Sequence, residues 1–196
     1  TSMNQTPNYC LYCLALLFCL SQANLTAQSI PELQHSFDLA KNQGDFKTAI
    51  PFAEKIVVLL EQAGNSNQLV YAEKLIQLSR AYNQDFRRID AEKAIRKAIK
   101  FHPQADTLYA NALMEWCYAA GGQGQFVRAD SIAQLALNLR RQLLGEDNLP
   151  YITALLATGV MQLRSGNVSN AIIALEQCKA LWSKNRPGNP DLFLQT

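Results

Sequence analysis

The chain is 196 residues long, 48% hydrophobic, and carries 18 basic against 16 acidic residues for a net charge of +2. That length suits one ordinary domain or about four helical hairpins of a repeat array. A charge so small, with no stripe of interleaved basic and aromatic residues, argues against a nucleic-acid partner. His35 and His102 stand apart without a cysteine or carboxylate cluster at ligand spacing, and neither a Gly-x-x-x-x-Gly-Lys loop nor a Gly-x-Ser-x-Gly elbow is present. The sequence therefore predicts no catalytic residue, no metal and no cofactor.

Every charged residue falls after Ile30, which sets the leading segment apart. Tyr9 to Leu20 is an apolar run too short for a membrane span, which needs about 20 residues, but suited to the core of a secretory signal. Residues 1–27 are read as that signal, with cleavage after Ala27. Export to the periplasm or the exterior is expected, with no stable membrane span in the mature chain. The lead from Met3 lacks Lys and Arg, and an uncleaved amphipathic or buried N-terminal helix is the alternative. Cys10 and Cys13 sit inside the apolar run without partner ligands, so they are not read as a redox or zinc pair. Phe18 before Cys19 argues against lipid attachment.

Beyond Gln28 the chain reads as helical hairpins, over residues 28–190. The first, about 30–66, puts Leu33, Phe37 and Ala40 on one helix face. Its turn is Gly44-Asp45-Phe46, and its second helix is expected to take Thr48 as N-cap so that Pro51 falls in the first turn. The second, about 67–103, carries Leu75, Leu78 and Tyr82, then Ala91, Ala94, Ile95 and Ala98. Asp85-Phe86 replaces the turn glycine, which predicts an altered turn; His102-Pro103 ends the unit.

The third hairpin, about 104–147, has Leu113, Trp116, Cys117 and Ala120 before Gly124, and Ala129, Ala133 and Ala136 after it. Trp116 is read as a core residue. Gly145 closes the long second helix. The fourth, about 148–187, carries Leu155, Thr158, Gly159 and Gln162, then a turn at Gly166 followed by Ala171, Leu175 and Cys178. Gly159 is expected to admit a neighbouring backbone. Cys117 and Cys178 fall on small-residue faces and are read as buried packing residues, not a disulfide. Glu54-Lys55 and Glu92-Lys93 are read as solvated helix faces. Residues 188–196 look like the start of a further repeat, as in the N-terminal part of a longer protein.

The leading alanines Ala49, Ala91, Ala129 and Ala171 lie 42, 38 and 42 residues apart. A period in that range means stacked helical repeats. Small residues recurring at three and four let neighbouring helices approach closely. The fold expected is all-α.

Gly124-x-Phe126-x-x-Ala129, with alanines four and seven residues on and Cys117 seven before the glycine, resembles the tetratricopeptide repeat. The stretch Leu144-Gly145-Glu146-Asp147-Asn148-Leu149-Pro150-Tyr151, with Ala154-Leu155 and Gly166, is similar to the kinesin-light-chain variety of 42 residues. The resemblance implies a right-handed α-solenoid of about four antiparallel hairpins, whose first helices line a concave groove. It implies a scaffold that binds a protein or peptide partner there. The groove candidates it implies are Gln34, Asp38 and Lys41, then Glu73, Ile76, Arg80 and Asn83. Further along come Asn111, Met114 and Tyr118, then Thr153, Leu156, Val160 and Arg164.

The family's usual asparagine pair is replaced by Ile76-Gln77, Met114-Glu115 and Leu156-Ala157. The usual clamp on a peptide backbone is therefore not expected, and the groove grows more apolar toward its C-terminal end. The alternative function is a sensor or adaptor portion of a larger enzyme, since exported arrays of this kind often precede a CHAT-domain protease or a histidine kinase.

Overall fold

The computed structural model describes residues 29–64 and 67–185. The leader read at 1–27, with Cys10, Cys13 and Cys19, and the further-repeat start read at 188–196 lie outside the described residues. All regular structure among the described residues is helical. The helices are α1 (Ile30–Asn42), α2 (Phe46–Gln62), α3 (Gln68–Gln84), α4 (Arg88–Phe101), α5 (Thr107–Gly122), α6 (Phe126–Leu144), α7 (Leu149–Arg164) and α8 (Val168–Asn185). Each packs on the next as antiparallel hairpins stacked in series, an α-solenoid. In addition α3 touches α5 and α5 touches α7, so first helices of successive hairpins stand side by side.

The starts of α1, α2, α3, α5 and α7 follow from short polar side chains. Ser29 and Glu32 form a capping box ahead of α1, with Pro31 in its first turn. Asp45, Asn67, Asp106 and Asn148 each accept a hydrogen bond from the backbone N–H three residues on. Each such cap is worth about 1 kcal/mol. Thr48 is not the N-cap expected of it: Asp45 takes that role, and Pro51 lies inside α2. Pro51 is exposed, so the Lys47 carbonyl that loses its partner stands on the wet side of the helix.

The hairpin turns share one hydrogen-bond pattern. Asp45 N–H donates to Ala40 O, Arg87 to Tyr82, Gln125 to Ala120 and Asn167 to Gln162, which closes the first helix of each hairpin with a six-to-one loop. The residue just before the donor is left-handed: Gly44 at φ 74°, Phe86 at 60°, Gly124 at 77° and Gly166 at 88°. The altered turn expected at Asp85-Phe86 does not occur. Phe86 adopts the glycine conformation instead.

The periodic alanines are fully enclosed in the stack, with Ala49, Ala91 and Ala129 at 0% exposure and Ala171 at 1%. The core divides into two clusters, one built on α1 to α4 with Ala112 and Ala119 of α5, the other on α5 to α8, with Trp116 packed against both. Trp116 is half-buried at this junction rather than enclosed. Its indole N–H donates to Glu92, and the Arg128 and Arg96 guanidiniums lie over its ring at 5.2 and 5.7 Å. Gly159 makes room for side chains, not backbone: a Cβ there would stand 2.8 Å from Leu175 Cγ and 3.4 Å from Ala174 Cβ. Cys117 and Cys178 are buried free thiols, as expected.

Candidate functional site

Side by side, α3, α5 and α7 present residues spaced three, four or eight apart, and these faces open into a cleft of about 610 Å³. Arg80, Asn83 and Gln84 come from α3. Met114, Glu115, Tyr118 and Gly122 come from α5, and Thr153 and Met161 from α7. Phe86 and Arg88 enter from the second turn and the start of α4, while Arg140 reaches in from α6.

Glu115 sits at the floor, 4% exposed. Its carboxylate accepts from Arg80 Nε at 2.7 Å and from Asn83 Nδ2 at 3.1 Å, and Asn83 Nδ2 also donates to the Glu115 carbonyl at 2.9 Å. Arg140 is 7% exposed. Its guanidinium donates to the Pro150 carbonyl, to Thr153 Oγ1 at 3.0 Å and to Asn111 Oδ1 at 3.0 Å, all neutral acceptors. Burial holds Arg140 below the usual arginine value, against the opposing pull of Tyr118 and Glu115. Tyr118 stands at the mouth, 39% exposed. Its phenol is pushed up to about 12, first by desolvation and then by the Glu115 carboxylate.

Arg88 occupies the slot where Phe46, Phe126 and Val168 begin the other second helices. There it does not enter the core. It donates to the Asn83 carbonyl and to Asn83 Oδ1, and its side chain crosses α5 at Gly122. A Cβ on Gly122 would stand 2.4 Å from Arg88 Nε and 2.6 Å from its Cδ, so this glycine is what admits the arginine. The Arg88 guanidinium lies over the Phe86 ring at 5.2 Å. Phe86 itself is 80% exposed at the rim.

Of the residues expected in a groove, Arg80, Asn83, Met114, Tyr118 and Thr153 line this cleft. Asn83 and Met114 are buried, so they shape its wall more than they offer a free surface. Asn111 lines an adjoining pocket of about 140 Å³ that shares Arg140. Ile76 is buried in the first core cluster. Glu73 is exposed and accepts from Gln77. Asp38 and Lys41 pair at 2.6 Å, and Gln34 links Asp38 to Lys74, a polar chain on α1 and α3 away from the cleft. Leu156 and Val160 are half-buried against the second core cluster, and Arg164 lies over the Phe126 ring at 5.8 Å.

Sequence reasoning missed Gln84, Glu115, Phe86, Arg88, Gly122, Arg140 and Met161. Arg88 carried a signal, since a charged residue stands where the repeat elsewhere has an apolar one. Arg140 carried none, because it belongs to a second helix and reaches the cleft only through the length of its side chain. The apolar trend expected toward the C-terminal end is offset by that arginine. Glu92 is likewise no solvated face residue: Trp116, Gln123 and Arg128 all donate to it. Among the described residues no group of three or more His, Cys, Asp or Glu is placed to hold a metal, and no helix is long and apolar enough to cross a membrane.

No protein-family model matches the chain, and no curated protein matches it in sequence. Solved structures do match. BtubC (BKLC) from P. vanneervenii superposes at TM-score 0.67 with 17% identity over 78% of this chain. The match spans 61% of the BtubC chain, so this chain covers under two thirds of that protein. A putative kinesin light chain from Podosopora anserina with nearly identical TPR-like repeats superposes at 0.64 with 15% identity, over 85% of this chain and 83% of that one. A MamA double mutant, RS-1, superposes at 0.62 with 18% identity, over 87% and 84%. At such identities the likeness establishes the fold, a helical-repeat solenoid of tetratricopeptide type, an architecture generally associated with protein-interaction scaffolds.

Proposed function

We propose that the chain is a protein-interaction scaffold that holds an extended segment of a protein partner in the cleft between α3, α5 and α7. The observation that carries this reading is the cleft itself, a concavity of about 610 Å³ built from three consecutive first helices. Apolar wall residues, Met114 and Met161, alternate there with fixed polar groups, the mixture that recognises a peptide by shape and hydrogen bonding. The turns at 44, 86, 124 and 166 stand 42, 38 and 42 residues apart, and the two 42-residue intervals favour the kinesin-light-chain-like variety. The apolar run Tyr9 to Leu20 supports export. N-terminal sequencing of chain recovered outside the cytoplasm checks this; a start at Gln28 is expected, and a chain retaining Met3 would end the idea.

A photo-crosslinking residue in place of Tyr118, introduced into the full chain in its native host, tests the binding face. It is expected to capture a discrete partner, whereas the same residue at exposed Val127 on α6 captures none. The double variant Arg80→Ala, Tyr118→Ala is expected to lower affinity for that partner at least about tenfold, as loss of two central contacts does. Equal capture from both positions, or capture unmoved by the double variant, would place binding elsewhere.

A further inference from the structure

We infer that the chain carries a second binding site, away from the cleft, which takes a small neutral flat ring bearing an N–H or O–H group, of the indole or phenol class. It is the recess between the second helices α6 and α8, over α7, with a volume of about 270 Å³. Leu155, Thr158 and Gln162 of α7 form its floor, each at most 7% exposed. Gln134 and Leu137 of α6 and Ile173 of α8 stand at its sides. The Gln162 side-chain oxygen is enclosed and has no hydrogen-bond partner among the described residues. A buried acceptor left without a donor is costly, and a donor entering the recess removes that cost.

The earlier hairpins show what such a recess accepts. The residues 13 and nine before each leading alanine are Leu78 and Tyr82 in the second hairpin, Trp116 and Ala120 in the third, and Thr158 and Gln162 in the fourth. Each of the first two pairs supplies one flat ring with a donor at its edge. Tyr82 donates its hydroxyl to Glu54 of α2, and the Arg87 guanidinium lies over its ring at 4.4 Å. Trp116 donates its indole N–H to Glu92 of α4 at 3.3 Å, and Arg128 at the start of α6 lies over its ring. The fourth pair has no ring, yet the polar positions around it are kept. Gln134 stands five residues after Ala129, as Glu54 does after Ala49, and Asn170 stands one before Ala171, as Arg128 does before Ala129.

Size, charge and wall chemistry narrow the guest. The volume falls below the roughly 300–1,000 Å³ of sites for drug-sized ligands, so it suits a single ring system. Arg141 is the one charged residue among the described residues lining it, and its guanidinium is paired with Glu146 at 2.8 Å. Carboxamides thus replace the carboxylates used in the earlier hairpins, and no charge is left over for an ion. Leu137, Leu155 and Ile173 offer apolar contact to the faces of a ring, where the hydroxyls of a sugar would be stripped of water without partners.

Titration of the full chain with indole, followed by NMR at the Gln162 amide and the Ile173 methyl groups, tests the site. Saturable shifts are expected with a Kd on the order of 1 mM, the range open to so small a ligand. 1-Methylindole, the same ring without its N–H, is expected to bind about fivefold to tenfold more weakly, the worth of one neutral hydrogen bond. Cyclohexanol, a donor without a flat ring, is expected not to bind. Gln162→Leu removes the acceptor and is expected to abolish the preference for indole over 1-methylindole. Thr158→Leu with Gln162→Tyr restores the pair of the second hairpin and is expected to exclude indole; Gln162→Leu alone covers the case in which that double variant fails to fold. N-acetyltryptophanamide separates the two sources of such a ring. Binding as tight as that of indole assigns the site to a side chain of a protein partner, and its exclusion assigns the site to a free ring compound. Absence of saturable binding by either probe would overturn the site. So would an indole preference that survives Gln162→Leu, or shifts that are lost with Tyr118→Ala in the cleft and unmoved by Gln162→Leu.

Discussion

Three hairpins turn on glycine and one turns on phenylalanine, yet their hydrogen bonds coincide. Gly44, Gly124 and Gly166 take the left-handed conformation at little steric cost, while Phe86 takes it against the clash between Cβ and the following carbonyl. The turn is thus dictated by the helices it joins and not by the residue at its apex. The difference shows outside the backbone. A glycine leaves nothing at the apex, whereas Phe86 places a ring at the mouth of the cleft, beside an arginine where the neighbouring hairpins begin their second helices with Phe46, Phe126 and Val168. The second hairpin departs from the repeat twice, at Phe86 and Arg88, and both departures face the cleft. Backbone strain kept at a site is a mark of function.

The same hairpin meets the third through polar contacts where the core divides. Removing Glu92 is expected to have the largest effect on stability. It would leave the Arg128 guanidinium, the Gln123 amide and the Trp116 N–H without their common acceptor. Glu92→Ala is expected to cost about 2 kcal/mol in urea unfolding, below the figure for a fully buried pair because Arg128 is partly solvated. A cost no greater than that of an exposed Glu, such as Glu73→Ala, would show that the junction does not depend on it. The pH dependence follows the same network. Burial would raise the Glu92 carboxyl, but hydrogen bonds from Arg128, Gln123 and Trp116 outweigh it and hold the group below its ordinary value of 4.5. A carboxyl depressed in the folded chain stabilises above its unfolded value and loses that contribution as pH falls through the folded one. Stability is therefore expected to fall below pH 4.5, and less steeply in Glu92→Gln.

The two kinds of turn can then be exchanged. A Cβ on Gly124 meets nothing within 4 Å, so Gly124→Phe adds left-handed strain without a clash at the Cβ and is expected to cost about 1 kcal/mol. Phe86→Gly relieves the same strain but frees the unfolded chain and gives up the ring's contact with Arg88. It is expected to stabilise by only about 0.5 kcal/mol. Equal and opposite shifts in the two variants would mean that the ring contributes nothing beyond strain.

The solenoid was legible because burial at Ala49, Ala91, Ala129 and Ala171 recurs with the sequence, and a period survives substitution at any one position. Even Phe86 could be aligned by its distance to Ala91. The cleft was legible only where first helices build it from their own faces, at Arg80, Asn83, Met114, Tyr118 and Thr153. Arg88 and Arg140 arrive from second helices, and whether such a side chain ends in water, core or cleft depends on what its neighbours leave open. Gly122 decides that for Arg88, and no rule of spacing distinguishes it from Gly121.

Gly122 and Gly124 therefore make the finest comparison, two glycines two residues apart kept for different reasons. Gly124 is required by its φ of 77°, while Gly122 ends α5 in helical geometry and is required only by the arginine lying across it. Gly122→Ala gains helix propensity, at most about 1 kcal/mol near a helix end, and loses the Arg88 contact. The two effects oppose, and the net change is expected to stay within about 0.5 kcal/mol. The separation comes from the double variant. With Arg88→Ala already present the three atoms nearest the added methyl are gone, and Gly122→Ala is expected to become plainly stabilising, whereas Gly124→Phe keeps its cost in either background. Were Gly122→Ala to behave alike with and without the arginine, the methyl would be meeting something else, and Arg88 would owe its place in the cleft to its bonds with Asn83 alone.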